Sequence, residues 1–437
     1  MNASDPCASA RRQWLLSALQ RYWPRQPELI AQLPMPNVAL GHIVDPPLLD
    51  DVMLPAWAQD LGVAGRVLVP AAMLLSSSEP QAWRRCDWLG AAAWYLDAVA
   101  EREREMRCGP LHSYAARLRG WDERLWSRAW VNRIALFLRR WAARQSGQDE
   151  TLLFGPLPIA RLVLTHDVDA LAKSTSIRLK QSMFQAFNAV RALRDGDFVA
   201  AGQRYRRFVQ VLTSHESYWC FERIFALEQD AGVRSMFFFH AREPGPRGLQ
   251  LRVVDPAYDA RSPALAQAVA VVRQHGADIG LHPSFGAWRD EAGLARERQN
   301  LEVLSGGPVT AVRQHWLRFS WQHTWAAQAR AGLRHDFTVA FNDRPGFRIG
   351  AALTFQPFGM HPNAGFLVTP TVMMDSQFYD YAEMPDASRL AAMSHWYREL
   401  VDTCGEGAVI WHQQVFNRDY GWEAGYEALL GLLRAQA

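Results

Sequence analysis

Short apolar runs, each closing on polar residues, recur through the second two thirds of the chain. They fall at 159–165, at Ser235–Phe239 and Asp278–Leu281, and at 309–312, 333–341, 365–372 and 408–411. Between several of them the apolar positions step by three and four, at 221–229, Pro263–Gln274, 291–304 and 325–331. The first pattern predicts buried strands and the second predicts amphipathic helices. Strands alternating with helices predict a parallel sheet covered on both faces. About seven repeats predict an α/β fold built as a (β/α) barrel, seven-stranded and distorted.

The first 150 residues follow another rhythm. Up to about residue 80, short apolar pieces such as Val67-Leu68-Val69 are separated by Pro-rich turns. A helical pattern then spans 83–107, with Trp88, Ala92, Tyr95, Leu96 and Val99 at three- and four-residue steps. Gly109-Pro110 ends it, and a second helix is predicted over 125–144, striped by Trp130, Ile134, Phe137 and Trp141. The polar, Gly-containing stretch 145–150 reads as a linker. The expected division is a smaller, mainly helical α+β domain over 1–150 and the barrel over 151–437.

Composition narrows the possibilities. Lys and Arg exceed Asp and Glu by only three among 437 residues, which predicts neither nucleic acid nor an anionic membrane as a partner. Arg139, Arg140 and Arg144 read as one solvated helical face. The five cysteines are scattered with no C-x-x-C pair, so neither a disulfide framework nor a thiolate metal site is expected. No run approaches the roughly 20 apolar residues of a membrane span, and residues 1–12 show no secretory pattern. A cytoplasmic location is the expectation.

The candidate chemistry sits where the apolar runs end. Thr165-His166-Asp167-Val168-Asp169 follows the first run. Residues two apart on a strand share a face, so Asp167 and Asp169 project together, at the end that forms the active-site rim of a barrel. Paired carboxylates either shift their pKa values apart or share a cation. His282, in Gly280-Leu281-His282-Pro283-Ser284, stands at an equivalent end. Imidazole with carboxylate suits Zn²⁺ or a similar divalent ion. Arg313, in Arg313-Gln314-His315-Trp316, is placed to pair with a carboxylate. His335-Asp336 and Trp411-His412 close two later runs, and His412 is a candidate general acid. Trp316, Trp321 and Trp411 lie near the expected rim, where a sugar ring would stack, with core packing as the other use of such residues.

Taken in order, these clusters resemble the polysaccharide-deacetylase superfamily (carbohydrate esterase family four and its relatives), over roughly 157–433. More narrowly, the chain resembles bacterial deacetylase-like proteins with an extra N-terminal domain. The resemblance implies a metal-dependent hydrolase that removes an N-acetyl group from an amino sugar or polysaccharide, with zinc, or else cobalt or nickel, as cofactor. It implies Asp167 as catalytic base, Asp169 and His282 as metal ligands, and Arg313 as the group orienting the base. Asp336 would tune His412, the acid. Arg348, in a loop that resembles a recurring run of the narrower group, would contact an anionic substrate group.

The family's second motif carries another His four residues after the first, where this chain has Gly286. His315, His166 or water would supply the missing ligand, and His315, beside the orienting Arg, is favoured. Two other expectations stand beside the deacetylase. One is a catalytically inactive carbohydrate-binding or assembly protein on the same barrel; the other is a hydrolase of a cyclic amide.

Overall fold

The structure is a computed structural model that describes residues 6–39, 41, 43–76, 81–194, 196–245, 254–361, 365–382 and 384–435. A two-stranded antiparallel ribbon, β1 (Leu49–Met53) with β2 (Arg66–Pro70), belongs to the N-terminal region. The remaining strands form one sheet: β3 (Arg161–Val168), β4 (Ser235–Phe239), β5 (Asp278–Leu281), β6 (Ala311–Val312), β7 (His335–Asp336), β8 (Leu367–Val368), β9 (Thr371–Met374) and β10 (Glu406–Ile410). Every pairing within it is parallel, in the order β8-β7-β6-β5-β4-β3-β10-β9.

The two ends of that order are consecutive in sequence. β8 pairs with β7, the chain passes Thr369-Pro370, and β9 pairs with β10. Residues 367–374 therefore act as one stave bonded on its first half to one edge and on its second half to the other. The sheet closes into a seven-stave α/β barrel, as the run count predicts, with the seventh stave split at a proline that has no N–H to give either ladder. The distortion is concentrated there and at β6 and β7, which are two residues each. Of the predicted run 333–341, only His335–Asp336 stays in the sheet.

Helices Phe221–Ala231, Pro263–Gln274, Glu291–Ser305 and Thr324–Arg330 lie where the periodicity predicts them, within one or two residues. They cover the outer face of the barrel. Their apolar stripes meet the outward side chains of the strands, among them Phe237, Phe239, Leu281 and Val312, all fully buried.

In the N-terminal region the helix predicted over 83–107 is two, Trp88–Leu96 and Val99–Cys108. Ala98 breaks them apart with a left-handed φ of 49°. The second predicted helix begins at Trp130 rather than 125. One expectation is overturned: Arg139 is not on a solvated face but fully buried, donating to the carbonyls of Tyr22 and Gly155 and, at 3.0 Å, to that of Glu150. Its guanidinium satisfies backbone carbonyls that a burial of this depth would otherwise leave unpaired.

The region shares one hydrophobic core with the barrel segment between Phe319 and Val368. Asn132 caps that contact, accepting from the Ala352 N–H at 2.9 Å and donating to its carbonyl at 2.7 Å. Arg133 clasps Glu399 through two bonds of 2.8 and 2.6 Å. Cys86, Cys108, Cys220 and Cys404 are free thiols.

Candidate metal centre and acid–base site

The C-terminal ends of β3, β5, β6, β9 and β10 open on one cleft of about 440 Å³, lined by Asp167, Asp169, His282, His315, Trp316 and His412 among others. Backbone bonds carry the ladder past the strand ends and hold the rim. His282 N–H donates to Phe239 C=O at 2.8 Å, Arg313 N–H to Leu281 C=O at 3.0 Å, and Trp411 N–H to Thr165 C=O at 2.9 Å.

Asp169 is the hub. Its Oδ1 lies 3.4 Å from His282 Nε2 and 3.6 Å from His315 Nε2, and its Oδ2 lies 3.6 Å from His412 Nε2. Asp169, His282 and His315 present one ligand atom each within 4.8 Å of one another. Both rings are turned for ligation. His282 Nδ1–H donates to the Arg313 carbonyl at 2.7 Å, which leaves Nε2 with its lone pair toward Asp169. His315 Nδ1 stands 3.4 Å from Asp255 Oδ1, which likewise directs Nε2 into the cluster.

One oxygen and one nitrogen in this cluster, Asp169 Oδ1 and His315 Nδ1, are buried without a well-formed hydrogen bond. A carboxylate oxygen and two imidazole nitrogens facing one point, with that carboxylate oxygen unsatisfied, fit a divalent cation of the zinc class. Gly286, where the resembled family carries its second His, has nothing within 4 Å of where a Cβ would stand. His315, three residues past the end of β6, is the third member of the group that could hold a metal ion. His166, the other protein candidate, points away: its Nδ1 bonds the Trp411 carbonyl at 2.6 Å and its Nε2 bonds Glu228 at 2.9 Å inside the wall.

Asp167 sits beside the cluster, 3.8 Å from His282, and its Oδ1 accepts from Arg313 Nη1 at 2.8 Å. Arg313 is fully buried; it also donates to the Phe337 carbonyl at 3.2 Å and lies 4.4 Å over the Phe238 ring. Burial would raise the Asp167 carboxyl, but the charge of Arg313, then of His282 and His412, holds it below the usual range. Asp169 is held lower still: burial opposes ionisation, and the three imidazoles outweigh it.

His412 is fixed by a residue the sequence reading missed. Asp375, directly after β9, accepts from His412 Nδ1 at 2.9 Å and from its backbone N–H at 2.6 Å. Burial disfavours the imidazolium, but Asp375, Asp169 and Asp167 overcome it and lift the pKa to about 10. A cation held by Asp169 would offset part of that negative charge and bring the ring back toward neutrality.

Three predicted roles are corrected. Asp336 does not reach His412. It is buried, and its carboxylate accepts from Thr338 at 2.5 Å, Gln328 at 2.9 Å and Trp325 at 3.2 Å. Arg348 does not face the cleft: it pairs with buried Glu101 at 2.7 Å and donates to the His112 carbonyl at 2.6 Å. Trp411 is 1% exposed, packed against Tyr379 and Tyr426, and offers no face to a ligand. Trp321 is also buried, its indole donating to Glu101 at 3.1 Å. Trp316 alone of the three tryptophans lines the cleft, held in a left-handed turn with φ of 57°. Asp375 follows the apolar run Val372-Met373-Met374 as the other site residues follow theirs. That placement was its one legible signal.

No family model and no curated protein matches the chain. Solved structures do. A Mycobacterium smegmatis protein described provisionally as a polysaccharide deacetylase aligns with 64% of this chain and 86% of its own, at 16% identity and a TM-score of 0.36. A mutant of a CE4-family pseudoenzyme with restored activity aligns with 64% of each chain, at 8% identity and a TM-score of 0.31. A Bacillus cereus polysaccharide deacetylase covers 50% of this chain and 82% of its own, at 10% identity and a TM-score of 0.29. The likeness is distant, and the arrangement of the side chains is what supports the functional reading below.

Proposed function

We propose that the protein is a metal-dependent hydrolase of an amide, with an N-acetylated amino sugar or polysaccharide as its substrate class. One observation carries the reading: a ligand set of Asp169, His282 and His315 lies within reach of both an ionised carboxylate, Asp167, and an imidazole backed by a carboxylate, His412. A divalent cation bound there, with zinc first and cobalt or nickel as substitutes, supplies Lewis acidity toward a carbonyl oxygen and acidifies bound water.

The chain's own groups account for the proton movements. Arg313 keeps Asp167 ionised, so Asp167 takes a proton from the attacking water. His412, held protonated by Asp375, gives its proton to the amine nitrogen as the carbon–nitrogen bond breaks. The products are a carboxylic acid, acetic acid in the first case, and a free amine. Trp316 supplies an apolar face at the cleft for a sugar ring.

The cofactor set that the chain contributes argues against the inactive binding protein, because His315 replaces what Gly286 removes. A cyclic amide fits the same chemistry and is separated by substrate tests. The deciding experiment measures metal content together with acetate release from N-acetylglucosamine oligomers for wild type, Asp169→Ala, His282→Ala and Asp167→Asn. The reading expects near-stoichiometric metal in wild type and in Asp167→Asn, with release lost in all three variants. Full release by Asp167→Asn, or wild type devoid of tightly held metal after growth with zinc, would sink it.

A further inference from the structure

Among the described residues, exposed apolar side chains on helices are concentrated in one place. Two helices, Thr175–Arg194 and Phe198–Thr213, form a hairpin inserted between β3 and β4. Nearly half of the large apolar side chains exposed among the described residues lie in it. On the first helix Leu179, Met183, Phe187 and Val190 form a stripe at four- and three-residue steps, exposed by 59, 63, 66 and 65%. The opposite face, which is the buried one, is polar: Ser182, Gln185 and Asn188. On the second helix Phe198, Tyr205, Val209 and Leu212 are exposed as well, while Arg204 is buried beside Ala201 and Val211. On the first helix the amphipathic pattern is inside out with respect to a helix that packs on a core.

Charge says what covers it. Residues 175–213 hold seven basic and two acidic side chains, an excess of five in a chain whose total excess is three. Arg191, Arg194 and Arg206 are exposed on the same helices as the stripes. A second copy of the hairpin would set basic face against basic face, whereas the surface of an anionic bilayer accepts both the apolar stripe and the cations beside it. The hairpin is pinned at its two feet by one carboxylate, Asp419, which takes Lys173 at 2.7 Å and Ser214 at 2.6 Å. Its stripe also borders the site: Phe187 lines the main cleft, and Leu179 and Met183 line the adjoining cavity that Asp169 and Trp316 share. No helix among the described residues is long and apolar enough to cross a membrane.

We propose that the 175–213 hairpin is an interfacial docking element that rests its apolar stripes in the surface of an anionic bilayer. In that position the cleft mouth lies at the bilayer, so the substrate, on the hydrolase reading above, is one anchored in it. Flotation of the full-length protein with vesicles of phosphatidylglycerol and phosphatidylcholine, against phosphatidylcholine alone, tests the surface without any turnover. Binding to the anionic vesicles is expected to be roughly tenfold tighter or more and to weaken as salt is raised. A triple variant, Phe198→Ser with Val199→Ser and Tyr205→Ser, changes side chains exposed by 62 to 75% that do not line the cleft. It is expected to lose flotation while keeping the thermal midpoint and metal content of wild type.

Absence of flotation on anionic vesicles at low salt would overturn the proposal. So would a wild-type dimer in sedimentation that the triple variant breaks, which would make a second copy the occupant. Neither result bears on metal content or acetate release, so this surface and the hydrolase reading fail separately.

Discussion

Asp255 stands 3.4 Å from Nδ1 of His315, while the opposite ring nitrogen of that histidine faces Asp169 at 3.6 Å. A carboxylate behind a ligand imidazole fixes the ring, sets its tautomer and raises its basicity. Asp255 is itself anchored, accepting the Phe285 N–H at 2.8 Å. Asp255→Asn can keep that anchor through its carbonyl oxygen while losing the charge. It should weaken metal affinity by about 10- to 100-fold, read by competition with a chelator, and leave the thermal midpoint of the metal-free protein almost unchanged. Unaltered metal affinity would remove Asp255 from the site.

Asp375 stands where the motif order suggests Asp336, beside His412, and the two carboxylates are separable by experiment. Asp375→Asn withdraws the charge that stabilises the His412 imidazolium. The pKa of that ring then falls from its raised value, and since an acid acts only while protonated, the alkaline limb of the rate profile should move to lower pH. A loss of about 10²- to 10⁴-fold in kcat with metal retained is expected. Asp336→Asn should instead lower the thermal midpoint and leave the pH profile in place. A profile that moves with Asp336 rather than Asp375 would reverse the assignment.

Arg348 and Glu101 form a buried ion pair, at 4 and 3% exposure, between the barrel and the N-terminal region. Removing one partner strands the other charge in the interior. Arg348→Ala should cost about 3–5 kcal/mol of stability, measured by urea denaturation, with KM for any processed substrate unchanged. A KM effect without loss of stability would restore a substrate role to Arg348.

Glu297 is buried behind the site, its carboxyl bonded to the Ser284 N–H at 2.9 Å and hydroxyl at 2.5 Å. Burial outweighs those bonds and raises its pKa from 4.5 to about 7. The folded protein thus holds this proton more tightly than the unfolded chain. The contribution to stability is full below the unfolded value near 4.5 and is lost as pH rises through about 7. Glu297→Gln, neutral and of the same shape, should flatten that slope, by roughly 1–3 kcal/mol between the two ends. Urea midpoints on both sides of the window would show it, and an unchanged slope would refute it.

Much of the fold was legible because barrel strands are buried on both faces and read as uninterrupted apolar runs. Ser235–Phe239 and Asp278–Leu281 needed no revision. The run 333–341 misled because apolar residues continue after the ladder ends, where Val339 and Phe341 serve the core shared with the N-terminal region. At the site, Asp167, Asp169, His282, Arg313 and His412 were legible as strand-end residues. Asp255 was not, because the stretch before Pro263 has no periodic pattern to place it and it meets His315 only through space. Arg139 shows the same limit from the other side: three arginines at helical spacing look alike until their partners, here backbone carbonyls more than a hundred residues away in one case, are in place. The hairpin escaped notice because its stripe has the spacing of a core helix and nothing local reveals which way it faces.

The split stave at Thr369-Pro370 bears on how the chain becomes one object. Val368, on its first half, belongs to the core made with the N-terminal region, whereas Val372 and Met373, on its second half, belong to the core beneath the outer helices. The segment that shuts the barrel is thereby shared property of both cores. Ring closure is then coupled to the seating of the N-terminal region, and a cut at 145–150 is expected to lower the thermal midpoint of the barrel part rather than release a part of unchanged stability.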